Sequence, residues 1–94
     1  MSLLFEWDEE KAASNFRKHG VGFDEACSAF LDSWSLTIPD PMHSQGEDRF
    51  ILVGVSVAPR LIVVVHTDRG DRIRIISARR ATAKEVRHYD NNRR

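Results

Sequence analysis

Apolar residues recur three or four positions apart in the first third of the chain, which is the spacing of one helix face. This spacing predicts a helix that follows an N-cap at Asp8 and ends just before Gly20, and a second helix over residues 23–31. A short strand is predicted at residues 3–6, directly before the first helix. The N-terminal third is therefore expected to be mainly helical.

The pattern changes after Asp32, where apolar and polar residues begin to alternate. Strands are predicted at residues 34–38, 49–57, 60–67 and 71–78, and the short turns between the last three indicate antiparallel neighbours. Residues 61–65 are apolar at every position, so their strand is expected in the centre of the sheet. A last helix follows Thr82, with Glu85 at the capping-box position.

These elements predict an α+β fold with two N-terminal helices, an antiparallel sheet of about four strands and a C-terminal helix. The helices are expected to pack on one side of the sheet. A chain of 94 residues has room for one hydrophobic core, so residues 1–94 are predicted to form a single domain.

The composition is that of an ordinary globular protein, with 41 % hydrophobic and 30 % charged residues. No apolar run approaches the ~20 residues of a membrane span, and the first ten residues carry acids where a signal peptide carries bases. We therefore expect a soluble, cytoplasmic protein without a membrane partner. The single cysteine, Cys27, and the scattered histidines show no metal-ligand spacing, so neither a metal nor another cofactor is predicted.

The zero net charge hides two oppositely charged halves. Residues 1–48 carry ten acidic and three basic residues, whereas residues 49–94 carry four acidic and eleven basic ones. A polyanion that binds the basic half would explain this asymmetry. Mutual neutralisation of the two halves in the folded domain explains it equally well.

Several motifs together resemble the BrnT family, the toxins of bacterial type II toxin–antitoxin systems. The motifs are FEWD at residues 5–8, Asn15, KHG at residues 18–20, ISAR at residues 76–79, Glu85 and Tyr89. The resemblance extends from Phe5 to Tyr89. It implies a RelE-like fold, a ribonuclease that arrests translation, and an antitoxin similar to BrnA. Such an antitoxin has a ribbon-helix-helix part, so DNA would be contacted only through it.

The resemblance gives candidate roles to the basic segment at residues 72–82. Metal-independent RNA cleavage needs a base, an acid and cations on the phosphate, and a guanidinium suits the last role. Arg72 and Arg74 alternate on one strand face and are candidates for binding the RNA backbone, or they are simply solvated. Arg79 is the candidate for the scissile phosphate, or an ion-pair partner of Glu85 or of an acid in the N-terminal helices. Glu85 and Tyr89 lie one helical turn apart and are candidate catalytic groups, or a capping-box residue and a packing residue.

The histidines complete the candidate set. His66 is a candidate acid–base group, although its position on the face of Ile62 and Val64 also fits a core histidine bonded to a neighbouring backbone group. Lys18 and His19 are candidate RNA-binding residues, or cations that interact with the negative end of the first helix.

Two functions remain open from the sequence. The first is a ribonuclease toxin, which the resemblance favours. The second is a non-catalytic interaction domain, such as an inactive toxin relic whose arginines bind an antitoxin-like partner.

Overall fold

A computed structural model describes residues 3–43 and 46–93. The elements are β1 (Leu4–Glu6), α1 (Glu9–His19), α2 (Phe23–Ser28), β2 (Leu36–Pro39), β3 (Arg49–Val55), β4 (Leu61–Arg69), β5 (Arg72–Arg80) and α3 (Ala83–Asn92). Short 3₁₀ turns at Ala29–Leu31 and Pro41–His43 follow α2 and β2. The predicted second helix is therefore an α-helix of six residues that tightens into a 3₁₀ turn.

The strands form one mixed sheet in the order β1-β5-β4-β3-β2. The antiparallel series from β2 to β5 and the central place of β4 confirm the sequence pattern. The prediction of about four antiparallel strands needs correction, because β1 adds a fifth strand parallel to β5. Strand β1 is followed by α1 and is not joined to β5 by a hairpin turn, so the local sequence does not define this pairing.

The helices cover both faces of the sheet, not one as the sequence analysis expects. The helices α1 and α2 cover the face that carries Leu52, Ile62 and Val64, which form the core with Phe23 and Ala26. Helix α3 lies against the opposite face, where its side chains share a cleft with residues of β2 and β3. We call the face that carries α3 the open face, because one helix covers only part of it.

A β-bulge interrupts the pairing of β4 and β5. Val65 pairs with Ser77, but the next residue, His66, pairs with Ile75, so Ile76 is an extra residue in β5. An extra residue shifts the alternation of side chains between the two faces by one position. Before Ile76, the even-numbered residues of β5 point to the open face; after Ile76, the odd-numbered residues do.

Asn15 joins α1 to the part of β5 that β1 does not reach. Its amide nitrogen donates to the carbonyl oxygens of Val21 and Ala78 at 3.0 and 2.8 Å. Its amide oxygen accepts the backbone N–H of Ala78 at 3.1 Å. Both backbone groups of Ala78 are thus satisfied by one buried side chain, which performs the role of a neighbouring strand.

We expect Asn15→Ala to lower the free energy of unfolding by about 2–3 kcal/mol, because it leaves a buried backbone N–H and carbonyl without partners. For a domain of this size, such a loss lowers Tm by roughly 10–20 °C. Ser14→Ala, an exposed change on the same helix, is the control and should leave Tm nearly unchanged. Equal Tm values for the two variants, measured by thermal denaturation, would contradict this role of Asn15.

Candidate active site

The bulge in β5 places three arginines on the open face. Arg79 pairs with Val63 after the bulge, whereas Arg74 pairs with Thr67 and Arg72 with Arg69 before it. In an unbroken strand, odd and even residues would point to opposite faces. The extra residue brings all three guanidinium-bearing positions to the same side, so the predicted common face of Arg72 and Arg74 also includes Arg79.

Arg79 and Glu85 form a two-pronged ion pair where β5 leads into α3. The two guanidinium nitrogens donate to the two carboxylate oxygens at 2.8 and 2.9 Å. These hydrogen bonds lower the pKa of Glu85 to about 2 and raise that of Arg79. The Arg79 side chain is nevertheless 42 % exposed, so an anion in solution can reach it.

The capping box predicted for α3 is present. The Thr82 hydroxyl accepts the backbone N–H of Glu85 at 3.2 Å, and the Glu85 carboxylate accepts the backbone N–H of Thr82 at 2.8 Å. Glu85 therefore fixes the start of α3 and holds Arg79 at the same time. Both structural roles considered for these residues are observed.

A cleft of about 380 Å³ separates α3 from β2 and β3. It is lined by Leu36, Val53, Thr82, Lys84, Glu85, His88 and Tyr89. Leu36 and Val53 provide an apolar floor, while α3 presents a carboxylate and an imidazole along one side. This arrangement combines acid–base groups with a cation at the adjoining strand.

His88 is the residue in this cleft that sequence reasoning missed as part of a site. It is exposed on α3, and the side-chain amide of Asn92 donates to its backbone carbonyl at 2.9 Å. His88 follows Glu85 by three residues, and this spacing places two side chains on the same helix face. That spacing is the signal that points to it in the sequence.

Tyr89 lines the cleft, but its hydroxyl is hydrogen-bonded to Asp32. The hydroxyl donates to the Asp32 carboxylate, and burial together with this contact raises the pKa of Tyr89 to about 12. Asp32 also accepts the backbone N–H groups of Trp34 and Val55. Tyr89 thereby anchors α3 to the end of β3.

His66 lies on the other face of the sheet, apart from this group. Its ring packs against Phe30 and Phe50, with centroid distances of 4.9 and 5.7 Å. Neither ring nitrogen has a hydrogen-bond partner within the described residues, so the backbone bond considered from the sequence is absent. Burial lowers its pKa, which favours the neutral imidazole.

Lys18 and His19 lie at the end of α1, on the side of the sheet that α1 and α2 cover. The structure therefore does not bring them together with Arg72, Arg74 and Arg79. They occupy the last turn of the helix, where positive charge is favourable.

Ion pairs also join the acidic and basic halves of the chain. Arg60 holds Glu25 through two hydrogen bonds of 2.7 Å, and Arg74 donates to Glu6 at 2.8 Å. Part of the charge asymmetry is thus neutralised within the domain. Arg72 and Arg80 remain exposed on the surface, whereas Arg74 and Arg79 are half-buried.

Neither a metal cluster nor a bilayer-spanning helix is found in the part of the chain that the structure describes. Residues 3–43 and 46–93 contain no group of three or more His, Cys, Asp or Glu side chains placed to hold a metal ion. No helix in those ranges is long and apolar enough to cross a membrane.

The chain matches a known protein family and a solved structure. The family is described as the ribonuclease toxin BrnT of type II toxin–antitoxin systems, and the match covers residues 7–85. The structure is that of the Brucella abortus ribonuclease toxin BrnT, with 25 % sequence identity and a TM-score of 0.69. The similarity covers 86 % of this chain and 99 % of that one. No curated protein sequence matches significantly.

Proposed function

This chain belongs to the BrnT family of type II toxin ribonucleases, and on that premise we propose that it cleaves RNA on the open face, where β5 meets α3. The observation that carries the proposal is the meeting of Arg79, Glu85 and the first turn of α3 at the edge of one cleft. A phosphate there would contact a guanidinium and free backbone N–H groups of the helix start together.

The arginines of β5 are proposed to bind successive phosphates of a single strand. Arg72 and Arg74 precede Arg79 along the same face, so a backbone that follows β5 reaches Arg79 last. Arg74 is held by Glu6 in the free protein, and a phosphate would compete for it. The apolar cleft floor at Leu36 and Val53 offers a surface for a base beside the scissile phosphate.

Glu85 is proposed as the base that takes the proton of the 2′-hydroxyl. While Arg79 holds it, the carboxylate is a weak base, because its pKa is about 2. A phosphate that takes the guanidinium of Arg79 would remove this hydrogen bond, and the pKa of Glu85 would rise toward its ordinary value. Substrate binding thereby frees the base at the place where it is needed.

The cleavage step is an attack of the 2′-oxygen on the adjacent phosphorus. A 2′-O–P bond forms, the P–O5′ bond breaks, and the leaving oxygen takes a proton. His88 is proposed to give that proton, because it lines the cleft on the same face of α3 as Glu85. Arg79 stabilises the negative charge that grows on the phosphate. Tyr89 positions the helix through Asp32.

This step needs no metal ion, since a cation, a base and a proton donor are all side chains. The proposed products are a 2′,3′-cyclic phosphate and a 5′-hydroxyl; water can then break the new 2′-O–P bond and leave a 3′-phosphate. His66, Lys18 and His19 have no part in the proposed step, because they lie on the other side of the sheet.

A double variant tests the RNA path. We expect Arg72→Ala with Arg74→Ala to weaken RNA binding and to reduce the slope of log K against log salt by about 1.4, since each lost phosphate contact removes roughly 0.7 on a single strand. The control is Lys11→Ala with Arg17→Ala, which removes two positive charges from α1, on the other side of the sheet. An unchanged slope in the folded Arg72/Arg74 variant, measured by fluorescence anisotropy, would reject the path.

The family implies an antitoxin as protein partner and RNA as substrate. We propose further that the antitoxin resembles BrnA, contacts DNA through a ribbon-helix-helix part, and meets the toxin in the cytoplasm. Induced expression of this chain without its antitoxin should arrest growth and degrade cellular RNA. The family match does not favour a non-catalytic domain; normal growth with intact RNA at confirmed expression would contradict the ribonuclease.

A further inference from the structure

A groove on the side opposite the cleft lies between α1 and the start of α2. It has a volume of about 340 Å³ and is lined by Trp7, Glu9, Ala12, Ala13, Phe16, Gly22, Phe23 and Asp24. Four of these residues belong to α1 and recur at positions i, i+3, i+4 and i+7, so one face of this helix forms one wall of the groove. The groove has no role in the proposed cleavage.

The wall exposes apolar surface that the fold itself does not use. Phe16 is 58 % exposed, although it sits on the amphipathic helix that packs on the sheet. Gly22 has no side chain, and a Cβ added there would lie 4.0 Å from the Phe16 ring. The groove therefore stays open beside an exposed aromatic ring, as in a surface that receives a partner's apolar side chain.

Acidic groups border this apolar surface. Glu9 and Asp24 line the groove on its two helices, and no basic residue is among its lining residues. The Trp7 indole donates to Glu9 at 3.0 Å, which holds that carboxylate at the groove wall. Negative charge at both walls repels the phosphates of RNA and attracts lysine or arginine side chains.

We propose that this groove binds an amphipathic segment of the antitoxin, with apolar side chains against Phe16 and Ala13 and basic side chains beside Glu9 and Asp24. An apolar stripe flanked by bases on a short helix matches both the shape and the charge of the groove. The proposal rests on the proposed function for the existence of an antitoxin. It adds that part of the antitoxin binds the face away from the RNA. Binding of the antitoxin in the groove and its covering of the active site are therefore two separate interactions.

The test uses the full-length antitoxin, identified as the protein that neutralises this chain on co-expression, purified and titrated by calorimetry against this chain. Phe16→Ala and Asp24→Lys should each raise the Kd of the complex at least about 10-fold, the effect of losing one energetically important interface residue. Leu31→Ala is the apolar control, because Leu31 is 78 % exposed outside the groove. Glu10→Lys is the charge control, since Glu10 shares the first turn of α1 but does not line the groove.

The outcomes separate this proposal from the proposed function. RNA cleavage by Phe16→Ala and Asp24→Lys should equal that of the wild type, while more antitoxin should be needed to restore growth. Unchanged Kd values for both groove variants would overturn the groove assignment, whether or not the chain cleaves RNA. A dimer of this chain alone, dissolved by Phe16→Ala in sedimentation analysis, would also overturn it, because a second copy would then occupy the groove.

Discussion

Replacing Arg79 with alanine is expected to slow RNA cleavage by about 10²–10³-fold, the effect of removing one donor that stabilises charge in a transition state. RNA affinity should change far less, because ground-state binding is shared with Arg72 and Arg74. The reason is the position of Arg79, whose half-exposed guanidinium is hydrogen-bonded to Glu85 in the first turn of α3. Single-turnover cleavage and equilibrium binding of the same RNA measure the two effects.

Arg80→Ala is the matched control for this experiment. Arg80 is the adjacent arginine, is exposed, and pairs with Ile62 on the side of the sheet that α1 and α2 cover. The Arg80→Ala substitution removes one positive charge, as Arg79→Ala does, from the neighbouring position. Its cleavage rate should stay close to that of the wild type. Equal losses of cleavage rate in the Arg79 and Arg80 variants would show that Arg79 contributes only its positive charge. A wild-type cleavage rate in Arg79→Ala would show that Arg79 has no role in the reaction.

Replacing Glu85 with glutamine is expected to reduce cleavage by about 10²–10⁴-fold, the range of a lost general base. Glutamine keeps an oxygen for the backbone N–H of Thr82, so the helix start is largely preserved while the charge is lost. In the wild type, the acid limb of kcat should lie at higher pH than that of kcat/KM. The free protein holds Glu85 at a pKa of about 2, whereas bound phosphate releases it.

The same residue has a pH-dependent effect on stability. Its folded pKa lies below the ordinary 4.5, so the contribution of Glu85 is present above about pH 4.5 and is lost as the pH falls toward 2. For this partly exposed pair we expect about 1 kcal/mol at neutral pH. Urea unfolding at pH 7 and at pH 3 should show a smaller difference for Glu85→Gln than for the wild type. A Glu85→Gln protein that keeps full stability but loses cleavage would agree with Glu85 as the base. A Glu85→Gln protein that cleaves RNA at the wild-type rate would contradict it.

Local sequence predicted those features that depend on neighbouring residues. The unbroken apolar run at residues 61–65 placed β4 in the sheet centre, and the Thr82–Glu85 spacing predicted the capping box. The left-handed Gly20 at the end of α1, with φ of 71°, follows from the same kind of signal. The capping box and the end of α1 depend on residues within a few positions, and the central strand is marked by its own run of apolar residues.

Features that depend on distant contacts could not be predicted in this way. The extra residue Ile76 moves Arg79 to the face of Arg72 and Arg74, and alternation within RIRIISARR does not reveal it. Asn15 appeared only as a motif residue, since its partner Ala78 is 63 positions away. The cleft that contains His88 requires α3 to cross to the open face, which the sequence pattern placed on the other side.

The proposed cleavage depends on side chains alone to activate a 2′-hydroxyl on the open face. Its most direct measurement is product analysis of a short RNA incubated with the purified protein in excess EDTA, beside the same RNA carrying one 2′-deoxynucleotide at the mapped cleavage position. We expect cleavage in EDTA, ends with a cyclic phosphate or a 3′-phosphate, and an intact bond at the deoxy position. Cleavage at the deoxy position, or activity that EDTA abolishes and a divalent ion restores, would contradict it.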